Sequence, residues 1–296
     1  MNVTGLPPAL RSGSPALFKR AIALNLKQWR LDRGLAQKVA AERVDRSIQH
    51  ISNLESGRTP SAGDLELLLD LYCQRDNIPF MRELLSAAKK STNWWTQLSG
   101  VVPPWFDLFL GLESGASELA TFQTALVHGL LQTREYAEAV LRGNPNLTDA
   151  QIEQAIEVRM GRKRILERKS DPVHLWMILD ESVLRRPYGG PVVMHDQLQH
   201  LLEMSYRPGI DIQVLPHAAG PASAQQGGSF TLMKFPSAVA GDPGVVYLDL
   251  VTGGHYVEKS EEILDYEQAM TRLQALAANQ RTSRGIIKKA MEEVKR

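Results

Sequence analysis

Between residues 47 and 58 the chain reads Ser-Ile-Gln-His-Ile-Ser-Asn-Leu-Glu-Ser-Gly-Arg. Ile51 and Leu54 fall three apart, the spacing of an inward helical stripe, which leaves Ile48, Gln49, His50, Ser52 and Asn53 on an open face. The amides of Gln49 and Asn53 each offer one acceptor and two donors, the complement of the adenine N6/N7 edge in the DNA major groove. Ile48 can meet a thymine methyl group. Gln37, His50, Ser52 and Arg58 carry donors that suit phosphate oxygens, contacts that set register without reading sequence. The expected chemistry is therefore recognition, with base reading by Ile48, Gln49 and Asn53.

A rigid support must aim that face. Leu35 to Arg58 reads as two short helices joined by a tight turn. Gln37 opens the first, Val39, Ala40 and Val44 are its apolar positions, and Ala41 is small where helices cross closely. Ser47 is placed to N-cap the second helix, and Gly57 tolerates a left-handed cap at its end. A helix upstream, Leu17 to Gly34, offers Leu17, Ile22, Leu26, Trp29 and Leu31 as apolar positions. Downstream, Ser61-Ala62-Gly63-Asp64 leads into LELLLDLYC, and Ile78-Pro79-Phe80 starts a helix through Ala88. Gln37, Ala41, Ser47, Ile51, Leu54, Glu55 and Gly57 together resemble the helix-turn-helix of the Cro/C1 repressor class, the XRE family. The resemblance implies an all-α, five-helix domain that docks the helix beginning near Ser47 into double-stranded DNA. Asp45-Arg46 departs from it, standing where the class has glycine and a hydrophobic residue. A non-glycine residue must then adopt the positive φ that glycine accepts easily.

The 296 residues suffice for two domains. Residues 1–90 hold 14 Lys/Arg against 9 Asp/Glu, a net of +5, whereas the remaining 206 are net −4. A mildly basic front end fits a phosphate-facing surface. A single cysteine, Cys73, excludes an intramolecular disulfide framework and, lying at the end of an apolar run, is expected to be buried. Without a long apolar run no membrane span is expected. The start of the chain lacks a signal-peptide pattern, so a cytoplasmic protein is expected. Pro7, Pro8, Gly13 and Pro15 suggest a flexible arm over residues 1–15, ahead of the DNA-binding domain at 16–90.

Residues 91–104 read as a linker in which Pro103-Pro104 blocks helix continuation. Trp94, Trp95, Trp105 and Phe106 cluster around it, as a base-stacking platform or, on balance, as a buried clamp. Beyond lies an α+β domain at 105–296. Asp107 to Ala125 has helix-compatible spacing, Thr133 opens a helix to about Arg142, and Thr148 starts a capping box for a helix to about Lys169. Strand-like runs then follow at 173–179, 211–216, 229–235, 245–251 and 255–257, with a helix from Asp196 to Tyr206 and two more from Glu258 to Asn279 and Thr282 to Lys295. This predicts a mostly antiparallel sheet with helices on one face.

HGLLQTREYAEAVL (128–141), ILDESVLRRPYGG (178–190), IDIQVLP (210–216) and GSFTLMKF (228–235) are similar to a domain of actinobacterial regulators, WhiJ-like developmental regulators among them. There it follows a Cro/C1-type helix-turn-helix. The resemblance implies a regulatory domain that binds a small-molecule effector, a partner protein or a second subunit. Many members are antitoxin-like and are encoded beside a small partner protein, so an autoregulating antitoxin is the alternative function. A homodimer is expected, because one such helix covers only a few base pairs.

Nothing in the chain spells an enzyme, a metal site or a cofactor. His195 and His200 are five apart, off a common helical face, and Gly227-Gly228-Ser229 leads into a strand, unlike a nucleophile elbow. Asp180 and Glu181 form either an acidic pair or, with Arg185 and Arg186 close behind, an ion-paired strand-to-helix cap. The basic run Arg159, Arg162, Lys163, Arg164, Arg168 and Lys169 reads as a charged solvent face before it reads as an anion surface. The loop Pro216 to Gly228 is long and polar enough to edge a binding site.

Overall fold

Ser14 caps a long helix at its start. Its hydroxyl accepts from the Leu17 N–H, Pro15 takes the first helical position, and α1 runs Pro15–Asp32. The computed structural model describes residues 6, 10, 13–90, 93–98, 102–220, 227–236 and 241–294. They fall into two compact units. The first takes Met1–Thr96 together with Gly111–Gly115 and Phe235–Asp242, and the second takes the remaining segments.

In the first unit α1 is followed by α2 (Gln37–Arg43), α3 (Ile48–Glu55), α4 (Ala62–Leu71) and α5 (Ile78–Lys90). Phe18, Ile22, Leu26, Ala40, Ile51, Leu54, Leu65 and Leu84 form one core, and Leu31 and Val39 stay exposed. Leu6 and Leu10, from the segment read as a flexible arm, are buried in this core too. The rest of residues 1–12 lie outside the described residues.

α1 to α4 share one stop signal. After the C-cap, the next residue turns left-handed, and the N–H of the residue beyond it returns to a carbonyl five positions back. Gly34 and Gly57 supply that conformation for α1 and α3, at φ 65° and 101°. Asp45 and Cys73 supply it for α2 and α4, at φ 53° and 58°. The positive φ expected at the Asp45-Arg46 turn is thus present. Cys73 is exposed, contrary to the expectation of burial, because it belongs to the helix stop rather than to the apolar stripe before it.

The second unit holds a six-stranded sheet in the order β3-β2-β1-β4-β5-β6: β1 Glu118–Gln123, β2 His174–Asp180, β3 Ile210–Leu215, β4 Phe230–Lys234, β5 Val245–Leu250 and β6 Gly253–Val257. The pairings β1·β2 and β2·β3 are parallel and the other three antiparallel, so the sheet is mixed. β1 corrects the helix expected from Asp107 to Ala125. The helix there, α6, stops at Gly115, and the following run is a central strand. Buried on both faces, such a strand reads as a continuous apolar run that periodicity cannot separate from a helix.

Parallel neighbours need crossovers. α7 (Arg134–Arg142) and α8 (Asp149–Arg162) lie between β1 and β2, and α9 (Gly190–Met204) lies between β2 and β3. Helices therefore pack on both faces, not on one. α10 (Ser260–Leu276) brings Ile263, Met270 and Leu273 against Ala120, Phe122 and Val246. On the opposite face Phe109 of α6 meets the Tyr247 ring at 4.4 Å. The β3 edge is closed by the segment leading into α11 (Gln280–Val294). The Ala278 N–H donates to the Val214 carbonyl, and the Val214 N–H donates to the Ser283 hydroxyl.

Candidate nucleic-acid interface

Ser47 caps α3 as its type and place require, its hydroxyl accepting from the His50 N–H at 3.1 Å. Ile51 and Leu54 are buried beneath the helix. Ile48 stays half exposed, and Gln49 is exposed beside it. One turn on, the Gln49 amide donates to Asn53 Oδ1 at 3.0 Å. The two expected base readers thus form a single polar ledge on the open side of α3. A linked amide pair presents its remaining donors and acceptor in a fixed relation, which suits base reading better than two free side chains.

A buried clamp fixes the other end of α3. Arg30 forks the Glu55 carboxylate, Nε to Oε1 at 2.6 Å and Nη2 to Oε2 at 2.9 Å. Arg30 Nη1 also donates to the Leu35 carbonyl, at 2.6 Å. Gln37 Nε2 completes the arrangement by donating to Glu55 Oε2 at 2.8 Å. α1, α2 and α3 are therefore tied at one carboxylate. Hydrogen bonding to Glu55 raises the Arg30 pKa above its ordinary value, against the opposing effect of burial.

The expected phosphate contacts are placed unequally. Arg58 lies exposed just past the α3 stop, and Ser52 is half-buried on the helix. Gln37 has one amide hydrogen engaged by Glu55. His50 turns its Nε2 toward Asp64, 3.3 Å from Oδ2, without good hydrogen-bond geometry. Arg46, which the sequence reading passed over, is exposed immediately before the Ser47 cap, its Nε 3.9 Å from Asp64 Oδ2. Its signal was a cation directly ahead of an N-cap.

The other candidates settle as structure. Asp180 Oδ1 accepts from the Ser182 N–H at 2.9 Å, while Glu181 pairs with Arg185 at 3.0 Å and accepts from the His217 N–H, the ion-paired cap. Trp94 and Trp95 pack edge to face, with Trp95 buried in the first unit. Trp105 and Phe106 form a separate pair in the second. Residues 221–226 of the Pro216–Gly228 loop lie outside the described residues. Among the described residues no cluster of His, Cys, Asp and Glu is arranged to hold a metal ion. No described helix is long and apolar enough to cross a membrane. The basic run departs from expectation: Arg159 and Arg162 face a cavity inside the second unit, and Arg168 donates to the Ala116 carbonyl.

Comparison with known families agrees with this division. A helix-turn-helix domain family matches residues 21–77, around the cap, clamp and ledge. A domain of unknown function, DUF5753, matches residues 106–289, more than half of the chain. The chain belongs to the DUF5753 family. No curated protein and no solved structure matches it. The helix-turn-helix match supports a DNA-binding regulator, whereas the DUF5753 match defines kinship without an activity.

Proposed function

We propose that the chain is a sequence-specific transcriptional regulator of the Cro/C1 (XRE) type whose DUF5753 domain senses an effector or partner. The supporting observation is the state of α3. Its inner side chains are buried, its carboxyl end is clamped by Arg30 and Glu55, and its outer face offers the Gln49–Asn53 ledge beside Ile48. In this reading α3 enters the major groove, Gln49 and Asn53 read bases, and Ile48 meets a thymine methyl. Ser52, Arg58 and Arg46 bind phosphates. Gln37 uses its second amide hydrogen for the same purpose, and His50 its other ring nitrogen.

Selection of binding sites from a random duplex pool, followed by titration of variants, tests this. Gln49→Ala should weaken the selected site by about 1–3 kcal/mol and relax preference at one position. Arg58→Ala should weaken all sequences alike and reduce the salt slope by roughly one phosphate. Equal, sequence-independent losses for both variants would remove Gln49 from base reading.

A further inference from the structure

β6 ends the sheet. The other edge, β3, is closed by the Ala278 N–H and the Ser283 hydroxyl, whereas among the described residues no segment pairs with β6 beyond β5. β5 and β6 form a hairpin across the two-residue turn Val251-Thr252, with Leu250 opposite Gly253. So tight a turn makes Leu250 and Gly253 a hydrogen-bonded pair, and alternation then turns the backbone groups of Gly253, His255 and Val257 toward β5. The N–H and C=O of Gly254 and Tyr256 therefore point away from the sheet.

This edge lacks the devices that ordinarily blunt one. Lysine, proline, a bulge or a covering segment keeps an exposed strand from pairing. Residues 253–257 contain no lysine, arginine, acid or proline, and their ladder to β5 runs without a bulge. The strand is also held firmly on one face. A Cβ at Gly254 would meet the Tyr247 ring and Trp105, and the Tyr256 hydroxyl donates to the Trp105 carbonyl. Around the hairpin tip Leu250 and Trp105 are partly exposed and Val251 is fully exposed.

The spacing of the free groups points to their partner. Gly254 and Tyr256 are two apart, so a two-fold axis through His255 lays β6 antiparallel on a second β6 and brings Gly254 of each copy onto Tyr256 of the other. Each such pair exchanges both of its backbone hydrogen bonds. Gly253 meets Val257 of the second copy, and no two like-charged side chains among residues 253–257 face each other. The same register carries Leu250 and Val251 alongside the segment of the second copy that leads from Val257 into α10, which withdraws their apolar surface from water. We infer that the β6 edge is a homodimer interface, in which β6 pairs antiparallel with β6 of a second copy so that the two sheets become one. The inference is independent of what α3 contacts. Its consequence for a DNA reader is a dimer carrying two copies of α3, the number that paired half-sites require.

The register makes His255 its own neighbour. His255 is exposed, and across the seam it occupies a non-hydrogen-bonded position, where facing side chains stand closest, about 5 Å apart at Cβ. His255→Lys and His255→Asp each place like charges there, and the two variants together place opposite ones. By sedimentation equilibrium the full parent chain should be a dimer, and either variant alone should dimerise several-fold more weakly. Their equimolar mixture should associate roughly tenfold more tightly than either variant does with itself, and native mass spectrometry should show the heterodimer. Restored association in the mixture also shows that both variants are folded. On dilution of the parent, amide exchange should quicken at Gly254 and Tyr256, whose N–H groups lie at the seam, and not at His255. A monomeric parent leaves the edge to a strand of some other protein and overturns the proposal. So do a dimer that neither variant weakens, a mixture no tighter than its components, and exchange at Gly254 and Tyr256 that ignores dilution.

Discussion

Glu55→Ala attacks the point where three helices of the first unit meet. The carboxylate accepts from Arg30 Nε, Arg30 Nη2 and Gln37 Nε2, and the Arg30 and Glu55 side chains are only 8% and 5% exposed. Its removal leaves the Arg30 guanidinium buried with the Leu35 carbonyl as its remaining partner in this arrangement. Breaking a buried pair from one side costs about 3–5 kcal/mol, chiefly because the surviving charge is uncompensated. Against a total stability of about 5–15 kcal/mol for a domain, that is a large fraction. At about 4–8 °C per kcal/mol for a unit of this size, it corresponds to a fall of roughly 12–40 °C in melting temperature. Scanning calorimetry gives the transition, and hydrogen exchange read over residues 37–55 assigns it to this unit. The control is Arg30→Met with Glu55→Leu, which removes both charges and should recover to within about 1–2 kcal/mol of the parent. A loss below about 1 kcal/mol for Glu55→Ala, the size of an exposed pair, would refute the clamp.

Three further outcomes follow from the same geometry. Asp45→Val should cost about 1–2 kcal/mol in urea midpoints, because a β-branched residue is forced to positive φ, while Asp45→Gly should be no less stable than the parent; a neutral valine would mean that α2 does not end as described. A chain cut after residue 104 loses Asp242, whose carboxylate is forked by Arg20 at 2.7 and 2.9 Å with both side chains nearly buried, so it should be about 3–5 kcal/mol less stable than the same unit in the full chain. Adding Arg20→Met to the shortened chain should recover part of that loss, and identical melting of the shortened and full chains would contradict the pairing. The DNA-bound form is expected to be a dimer on half-sites about one helical turn apart, and a monomer by light scattering with a footprint lacking two-fold symmetry would exclude it.

What the sequence disclosed and what it hid divide along the range of the forces involved. α3 was legible because its determinants are neighbours: Ser47 caps it, Ile51 and Leu54 anchor it, and Gly57 stops it. The Asp45 turn was legible for the same reason, as a position whose conformation is forced by the helices on either side. β1 was not, since a strand buried on both faces carries no alternation and only its partners β2 and β4 define it. Gly111–Gly115 and Phe235–Asp242 belong to the first unit although they lie far along the chain. Phe235 packs against its core and Asp242 pairs with Arg20, and such contacts leave no local pattern.

The cavity arginines stand between these cases. In α8 Ile152 and Ile156 are buried, and the next position on that stripe, seven residues after Ile152, is Arg159. A cation where the period calls for an apolar side chain costs desolvation unless something repays it. The basic run disguised that position, because Arg162, Lys163 and Arg164 surround it with charges of the same sign. Counting charges made the segment look like a solvated face, whereas following the helical period singles out Arg159. Its inward placement beside Asp249 and Tyr247 is a conflict between helical period and side-chain type that becomes visible only once the strands are packed against α8.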